Sequence, residues 1–225
     1  MTASFNELIE QGDTASVRAL LDSDRSLAQQ PNEGDYPIIW AAANDKAEIV
    51  ALLIQYGADK DFREDDGRTP LHRAAESGPE TVKVLLKHGA NPNVLDKWGY
   101  TPLVWAISGQ QPEGEESARL LREAGANYDL IAATAMGDLA TVRSIIQRDP
   151  DAVKTAASGE TLLSMAWTVR RYGTLADRVE IVKELFSHGL KVKKEILTEH
   201  VAASETQKLG EIAQLLRAQV KRKCR

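Results

Sequence analysis

Apolar residues along this chain fall into short runs at helical spacing, each bounded by polar turns and often closed by glycine. Val17, Leu20 and Leu21 share one face of a predicted helix, while Asn6, Glu10 and Arg18 suit a wetted side. Ile49, Val50, Leu52 and Leu53 form a second apolar stripe, and Val82, Val84, Leu85 and Leu86 a third. Gly12, Gly57 and Gly89 stand where each helix should stop, since glycine accepts the left-handed backbone of a helix end. Further on, Val142, Ile145 and Ile146 follow Gly137-Asp138 with the spacing of Val17, Leu20 and Leu21 after Gly12-Asp13. Lys193–Ala203 and Thr206–Val220 read as a closing helical hairpin. The predicted class is all-α.

Between the stripes, three segments nearly repeat one another. They are Tyr36-Pro37-Ile38-Ile39-Trp40-Ala41-Ala42, Thr69-Pro70-Leu71-His72-Arg73-Ala74-Ala75 and Thr101-Pro102-Leu103-Val104-Trp105-Ala106-Ile107. Each leads through a helical run to Gly57-Ala58-Asp59, Gly89-Ala90-Asn91 or Gly125-Ala126-Asn127. Self-similarity at such a period predicts a stacked array in which no single repeat can bury its apolar face alone. Proline in the first helical turn loses nothing by lacking an N–H. Asp66-Gly67 and Trp98-Gly99 supply turn chemistry for the loops between repeats.

The T-P-L-H-x-A-A segment with its terminal G-A-D/N resembles the ankyrin repeat, which implies an α-solenoid of helix-turn-helix repeats with projecting hairpin loops. On that resemblance residues 1–225 read as a single array of about six repeats. Residues 1–32 are an N-terminal cap, and 33–65, 66–97 and 98–127 are well-matched repeats. Residues 128–190 hold two divergent repeats with an insertion near 169–177, and 191–225 a C-terminal cap with a basic tail. An alternative division makes two subarrays joined near Tyr128. Gln110–Glu116 reads as a lengthened surface loop, with Asp65-Asp66 and Glu115-Glu116 as solvated acidic pairs at loop tips.

Charge adds a direction. The net charge is −5, but residues 1–128 carry 12 Lys/Arg against 21 Asp/Glu, and the remainder 16 against 12. An acidic front half repels phosphate backbones, so no nucleic-acid partner is expected; it would instead steer a basic protein surface. A single cysteine, Cys224, excludes an internal disulfide and suits a reducing compartment. The first residues lack the basic and apolar segments of a secretory leader, and no apolar run reaches membrane-spanning length. A monomeric cytoplasmic protein is expected, and the basic stretch Arg217–Arg225 also suits nuclear import.

Candidate chemistry is sparse. His72 lies in the T-P-L-H segment, where the resemblance implies a hydrogen bond to nearby backbone or to Thr69. His88 and His188 precede helix-ending glycines, where a cation favours the helix dipole. With one cysteine and no histidine pair at ligand spacing, neither a metal site nor a cofactor is expected. Nucleophile and phosphate-loop patterns are lacking, so the chain is not expected to be an enzyme.

Partner binding is the leading expectation. Transfer of the family's binding positions gives Phe62 and Arg63 on one projecting loop, and Leu95, Trp98 and Tyr100 on the next. It gives Trp40, Arg73 and Trp105 on the concave face of successive inner helices, with Arg73 available to stack on either indole. Trp, Tyr and Arg dominate interface energetics. Trp40 and Trp105 suit core and groove equally, whereas Trp98 sits in a turn that favours exposure. The expected function is a non-catalytic protein-interaction module acting as adaptor, inhibitor or immunity-type binder. The alternative is a small-molecule or catalytic pocket at the irregular repeats, where Gln110–Glu116, Tyr128 and Arg170-Arg171-Tyr172 lie.

Overall fold

The computed structural model describes residues 3–31, 36–109, 113–155, 159–168, 172–206 and 209–222. Its described residues form helices and turns without strands, and they divide into two compact units, Met1–Asn127 and Tyr128–Arg225. None of these helices is long and apolar enough to cross a membrane.

In the first unit four helix pairs follow in order: α1 (Phe5–Gln11) with α2 (Thr14–Ser23), α3 (Pro37–Ala43) with α4 (Ala47–Gln55), α5 (Pro70–Ser77) with α6 (Pro79–Lys87), and α7 (Pro102–Ser108) with α8 (Glu113–Glu123). First helices pack in sequence, α1 on α3, α3 on α5 and α5 on α7, and second helices do the same from α2 to α8. This is the solenoid arrangement, and it explains why the paired alanines sit where they do. Ala41, Ala42, Ala74, Ala75 and Ala106 are buried, because only small side chains let inner helices approach so closely. Ile49, Leu53, Leu71, Leu85, Leu103 and Leu121 fill the layers between them and are fully buried.

Local chemistry fixes the helix ends. Ser4 Oγ accepts from the Glu7 N–H at 3.2 Å while the Glu7 carboxylate accepts from the Ser4 N–H at 2.7 Å, a reciprocal cap for α1. Asp13 caps α2 by accepting from the Ser16 N–H at 3.0 Å. The turn from α5 to α6 can be short because residue 78 is glycine: a Cβ there would lie 2.2 Å from the Asp45 carboxylate. That carboxylate accepts from the Thr81 N–H at 3.3 Å, at the start of the next outer helix.

The second unit repeats the opening geometry. Helix α9 (Leu130–Met136) ends at Gly137, left-handed like Gly12, and Asp138 caps α10 (Leu139–Arg148) through the Thr141 N–H at 3.0 Å. A short α11 (Ala152–Thr155) precedes α12 (Gly159–Thr168) and α13 (Leu175–Ser187). Here α12 packs on α9 and α13 on α10. The closing hairpin of α14 (Lys194–Thr206) and α15 (Gly210–Arg222) lies against α12 and α13.

Five local expectations are corrected. Asn6 is buried because α1 packs against both α2 and α3, and Leu20 on α2 is partly exposed. Glu113, Glu115 and Glu116 form the first turn of α8 instead of a loop, where three carboxylates favour the positive end of the helix dipole. The Glu115-Glu116 pair is accordingly helical and not at a loop tip. Asp177 belongs to α13, whose capping residue Thr174 accepts from the Asp177 N–H at 3.1 Å. Gln110–Pro112, Arg170 and Arg171, and Cys224 with the end of the basic tail lie outside the described residues.

Candidate binding surface

The candidate site is built on two successive hairpin loops of the first unit. In one, the Glu64 N–H donates to the Arg68 carbonyl at 2.9 Å and the Gly67 N–H to the Glu64 carbonyl at 2.8 Å. The other repeats the scheme, with Asp96 N–H to the Tyr100 carbonyl at 3.0 Å and Gly99 N–H to the Asp96 carbonyl at 3.1 Å. The two tips are stitched together: the Lys97 N–H donates to the Asp66 carbonyl at 2.9 Å, and Arg63 Nη2 to the Leu95 carbonyl at 2.7 Å. Behind the tips, side chains brace the backbone of the following repeat. Asp61 Oδ1 accepts from the Asn91 N–H at 2.9 Å, and Asn93 Oδ1 from the Asn127 N–H at 2.7 Å.

Asp96 organises the second tip. Only 6% exposed, its Oδ1 accepts from the Trp98 and Tyr100 N–H groups at 2.9 and 2.8 Å. Its Oδ2 accepts from Trp105 Nε1 at 2.8 Å. One carboxylate thus fixes both a loop and an inner-helix indole. Trp98 and Tyr100 then meet Trp105 edge-on, with ring centroids 6.2 and 5.9 Å apart.

His72 ties this arrangement to the preceding repeat. Its Nδ1 accepts from the Thr69 N–H at 3.0 Å, so Nε2 carries the proton and donates to the Tyr100 carbonyl at 3.1 Å. The ring is fully buried, and burial pulls its pKa below the ordinary value, keeping it neutral. His88 and His188 instead bond the carbonyls of Val84 and Glu184 at their helix ends. His200 meets Trp167 edge-on at 5.4 Å.

Cations complete the surface. The guanidinium over the indoles is that of Arg68, 5.2 Å from the Trp105 ring centroid and 5.9 Å from that of Trp98. Arg73 forks onto Glu64, with Nε and Nη2 bonds of 2.8 and 2.7 Å. That contact holds the Arg73 guanidinium more firmly charged, burial notwithstanding. Arg68 also holds Asp66 at 2.7 Å. Burial disfavours the Asp66 charge, but the hydrogen bonds and charge of Arg68 outweigh it and keep that carboxyl below its usual range. Burial pushes Glu76 the other way, upward, against the nearby arginines. Lys97 Nζ lies 4.3 Å from the Trp98 ring centroid.

Trp98, Tyr100, Trp105 and Arg73 therefore share one surface, with Leu95 and Arg63 exposed beside it. Trp98 stands 42% exposed at the tip. Phe62 packs on Tyr36 at 3.9 Å between centroids, and both line a cleft of about 540 Å3 that runs to Lys97. Trp40 is half-buried, its indole N–H out of solvent and without a hydrogen-bond partner among the described residues. Sequence reasoning missed Asp96 and Glu64. An acidic residue three positions ahead of each hairpin glycine, Glu64 before Gly67 and Asp96 before Gly99, is the signal that marks both.

Comparison with known proteins agrees with this architecture. The family model for ankyrin repeats (3 copies) matches residues 5–96, and that for ankyrin repeats (many copies) matches residues 76–121. The inactive serine/threonine-protein kinase TEX14 of Bos taurus is 32% identical over 78 residues, covering 35% of this chain and 5% of that protein. NF-kappa-B inhibitor alpha of Gallus gallus is 32% identical over 87 residues, covering 32% of this chain and 27% of the inhibitor. The E3 ubiquitin-protein ligase XBAT32 of Arabidopsis thaliana is 37% identical over 69 residues, 30% of this chain and 14% of the ligase. The chain thus matches only a minor part of each of these relatives. Stacked helix pairs, the buried Thr69–His72 pair and the stitched hairpin tips, together with the matched family models, make this chain a member of the ankyrin repeat family.

Proposed function

We infer that the chain is a non-catalytic module that binds another protein through the paired hairpin tips of the first unit. The observation that carries this reading is Trp98: a large ring held 42% exposed by a buried carboxylate, against Trp105 and under two cations. A preformed aromatic anchor loses little ordering entropy on binding, so its burial goes into affinity. Leu95 and Tyr100 flank it, and the cleft beside Phe62 and Arg63 offers a place for a partner side chain. The acidic balance of residues 1–128 favours a partner with a basic face. Similarity to an NF-kappa-B inhibitor supports a role in covering a partner's surface, in preference to acting on it chemically.

The test is affinity capture from the native cell extract, followed by direct titration of the captured protein with wild type and Trp98→Ala/Leu95→Ala. Circular dichroism confirms that both are folded. A hot-spot anchor predicts weakening of about 30-fold or more, and a wild-type affinity that falls with added salt. Equal affinity of the two proteins would place the binding surface elsewhere.

A further inference from the structure

Glu64, Asp65 and Asp66 stand in a row on one hairpin of the first unit, and two of them hold arginines of this chain. Glu64 takes the fork of Arg73, and Asp66 the guanidinium of Arg68, each with a contact of 2.7 Å. Arg68 also lies 5.2 Å from the Trp105 ring centroid, so it meets a carboxylate and an aromatic ring together. That setting suits arginine in particular, whose planar, weakly hydrated group binds carboxylates and stacks on rings.

Asp65 meets no cation. It is exposed, and neither a hydrogen bond nor an ion pair reaches its side chain among the described residues. It lines the cleft of about 540 Å3 whose walls include Ile39 and the packed rings of Tyr36 and Phe62. No cation among the described residues lies over either ring. The other charges on the cleft are committed. Glu64 and Asp66 hold their arginines, Arg63 Nη2 donates to the Leu95 carbonyl at 2.7 Å, and Lys97 Nζ rests 4.3 Å from the Trp98 ring centroid. The cleft thus offers an open carboxylate beside an open aromatic wall, the same two parts that hold Arg68.

We propose that this cleft receives an arginine side chain of the partner protein, its guanidinium on Asp65 and its aliphatic stem against Tyr36 and Phe62. The inference rests on the reading of the first unit as a protein-binding surface and specifies the partner's contact residue. An acidic side chain in that place would face three carboxylates. Lysine would satisfy the charge but has no planar group for ring and carboxylate. The volume falls within the roughly 300–1,000 Å3 of ligand clefts, so the residues flanking the arginine enter with it and a short peptide segment is recognised.

Random peptides displayed on phage, selected on the immobilised full chain, are the probe. Enriched peptides should carry arginine at one fixed position beside apolar residues. A selected peptide and its citrulline counterpart, which keeps the shape without the charge, are then titrated calorimetrically into wild type, Asp65→Asn, Glu80→Gln and Trp98→Ala/Leu95→Ala. Citrulline should weaken binding about tenfold. Asp65→Asn should weaken the arginine peptide about as much and barely affect the citrulline peptide, since both changes remove one contact. Glu80→Gln takes the same charge from an exposed site on α6 and should change nothing. Circular dichroism verifies that the variants are folded. The proposal is overturned if no peptide is enriched, if the fixed position lacks arginine or carries lysine instead, if citrulline binds as well, or if Asp65→Asn has no larger effect than Glu80→Gln. The Trp98 variant separates the two readings. Peptide affinity that is lost there but unchanged in Asp65→Asn removes the cleft inference alone, whereas affinity that depends on Asp65 and not on Trp98 removes that anchor and keeps the cleft.

Discussion

Replacing Asp96 with asparagine should damage the fold through one bond in particular. An asparagine retains one carbonyl oxygen, which can still accept from the Trp98 and Tyr100 N–H groups, now without charge assistance. Its amide NH2 then faces Trp105 Nε1–H, two donors at the position where oxygen and nitrogen lie 2.8 Å apart. A hydrogen bond to a charged group contributes about 1.5–3 kcal/mol net, and a buried orphan donor costs a comparable amount. With Asp96 buried, Asp96→Asn should destabilise the chain by about 2–3 kcal/mol. Asp96→Ala, which strands all three donors, should cost about 4 kcal/mol.

Trp105→Phe isolates the bond, because it removes the nitrogen and keeps a ring. In that background the asparagine no longer faces a donor, and its cost should fall to about 1 kcal/mol, a coupling of about 1–2 kcal/mol across the cycle. Urea denaturation followed by far-UV circular dichroism measures all four proteins without relying on tryptophan emission. A coupling below about 0.5 kcal/mol would refute the reasoning, since the carboxylate would then not be holding the indole.

Two further outcomes follow from the same geometry. Gly78→Ala sets a methyl 2.2 Å from the Asp45 carboxylate and should destabilise by about 1–3 kcal/mol; in an Asp45→Gly background, which lacks that carboxylate and its bond to the Thr81 N–H, the same substitution should cost little, and an unchanged drop in melting temperature there would contradict the steric account. For His72, whose folded pKa lies below its ordinary 6.5, the unfolded chain binds more protons, so its contribution is present above pH 6.5 and is lost as pH falls toward the folded value. The penalty of His72→Gln, measured by urea denaturation, should therefore shrink between pH 7.5 and 5.5, and a constant penalty would mean that His72 is not held neutral.

The repeats were legible because their signals are local. Gly12-Asp13 and Gly137-Asp138 mark a helix stop and the next helix start whatever lies around them, and the proline at each inner-helix start is equally self-contained. The corrections fall where a neighbour decides. Glu113–Glu116 follows glycine and proline and carries three acids, which suits a loop in isolation; those charges also suit a helix N-terminus, and the stacking of α8 on α6 makes that choice. Arg73 lies on the face that spacing assigns, yet its partner is Glu64 on the hairpin below, while Arg68 takes the place over Trp105. Periodicity identifies a face and leaves open which cation reaches which ring. Arg178 is hidden for the same reason: within Asp177-Arg178-Val179-Glu180 it reads as a wetted residue, and only the arrival of three carbonyl-bearing segments buries it.

The braces behind the hairpins carry an evolutionary consequence. Asp61 and Asn93 perform one task at equivalent places: each accepts from a backbone N–H in the following repeat's terminal turn, Asn91 for the first and Asn127 for the second. Each also follows a residue, Asp59 or Asn91, whose side chain caps its own N–H at 2.9 Å. Excision of residues 62–93 would therefore leave Asp61 in the place of Asn93, with an oxygen ready for Asn127 and its own turn intact. Duplication of the same segment would insert another brace of the same kind. Such a chain can change length by whole repeats without inventing a new joint, so its genetic history is free to run in insertions and deletions of that size while single-residue slips are penalised.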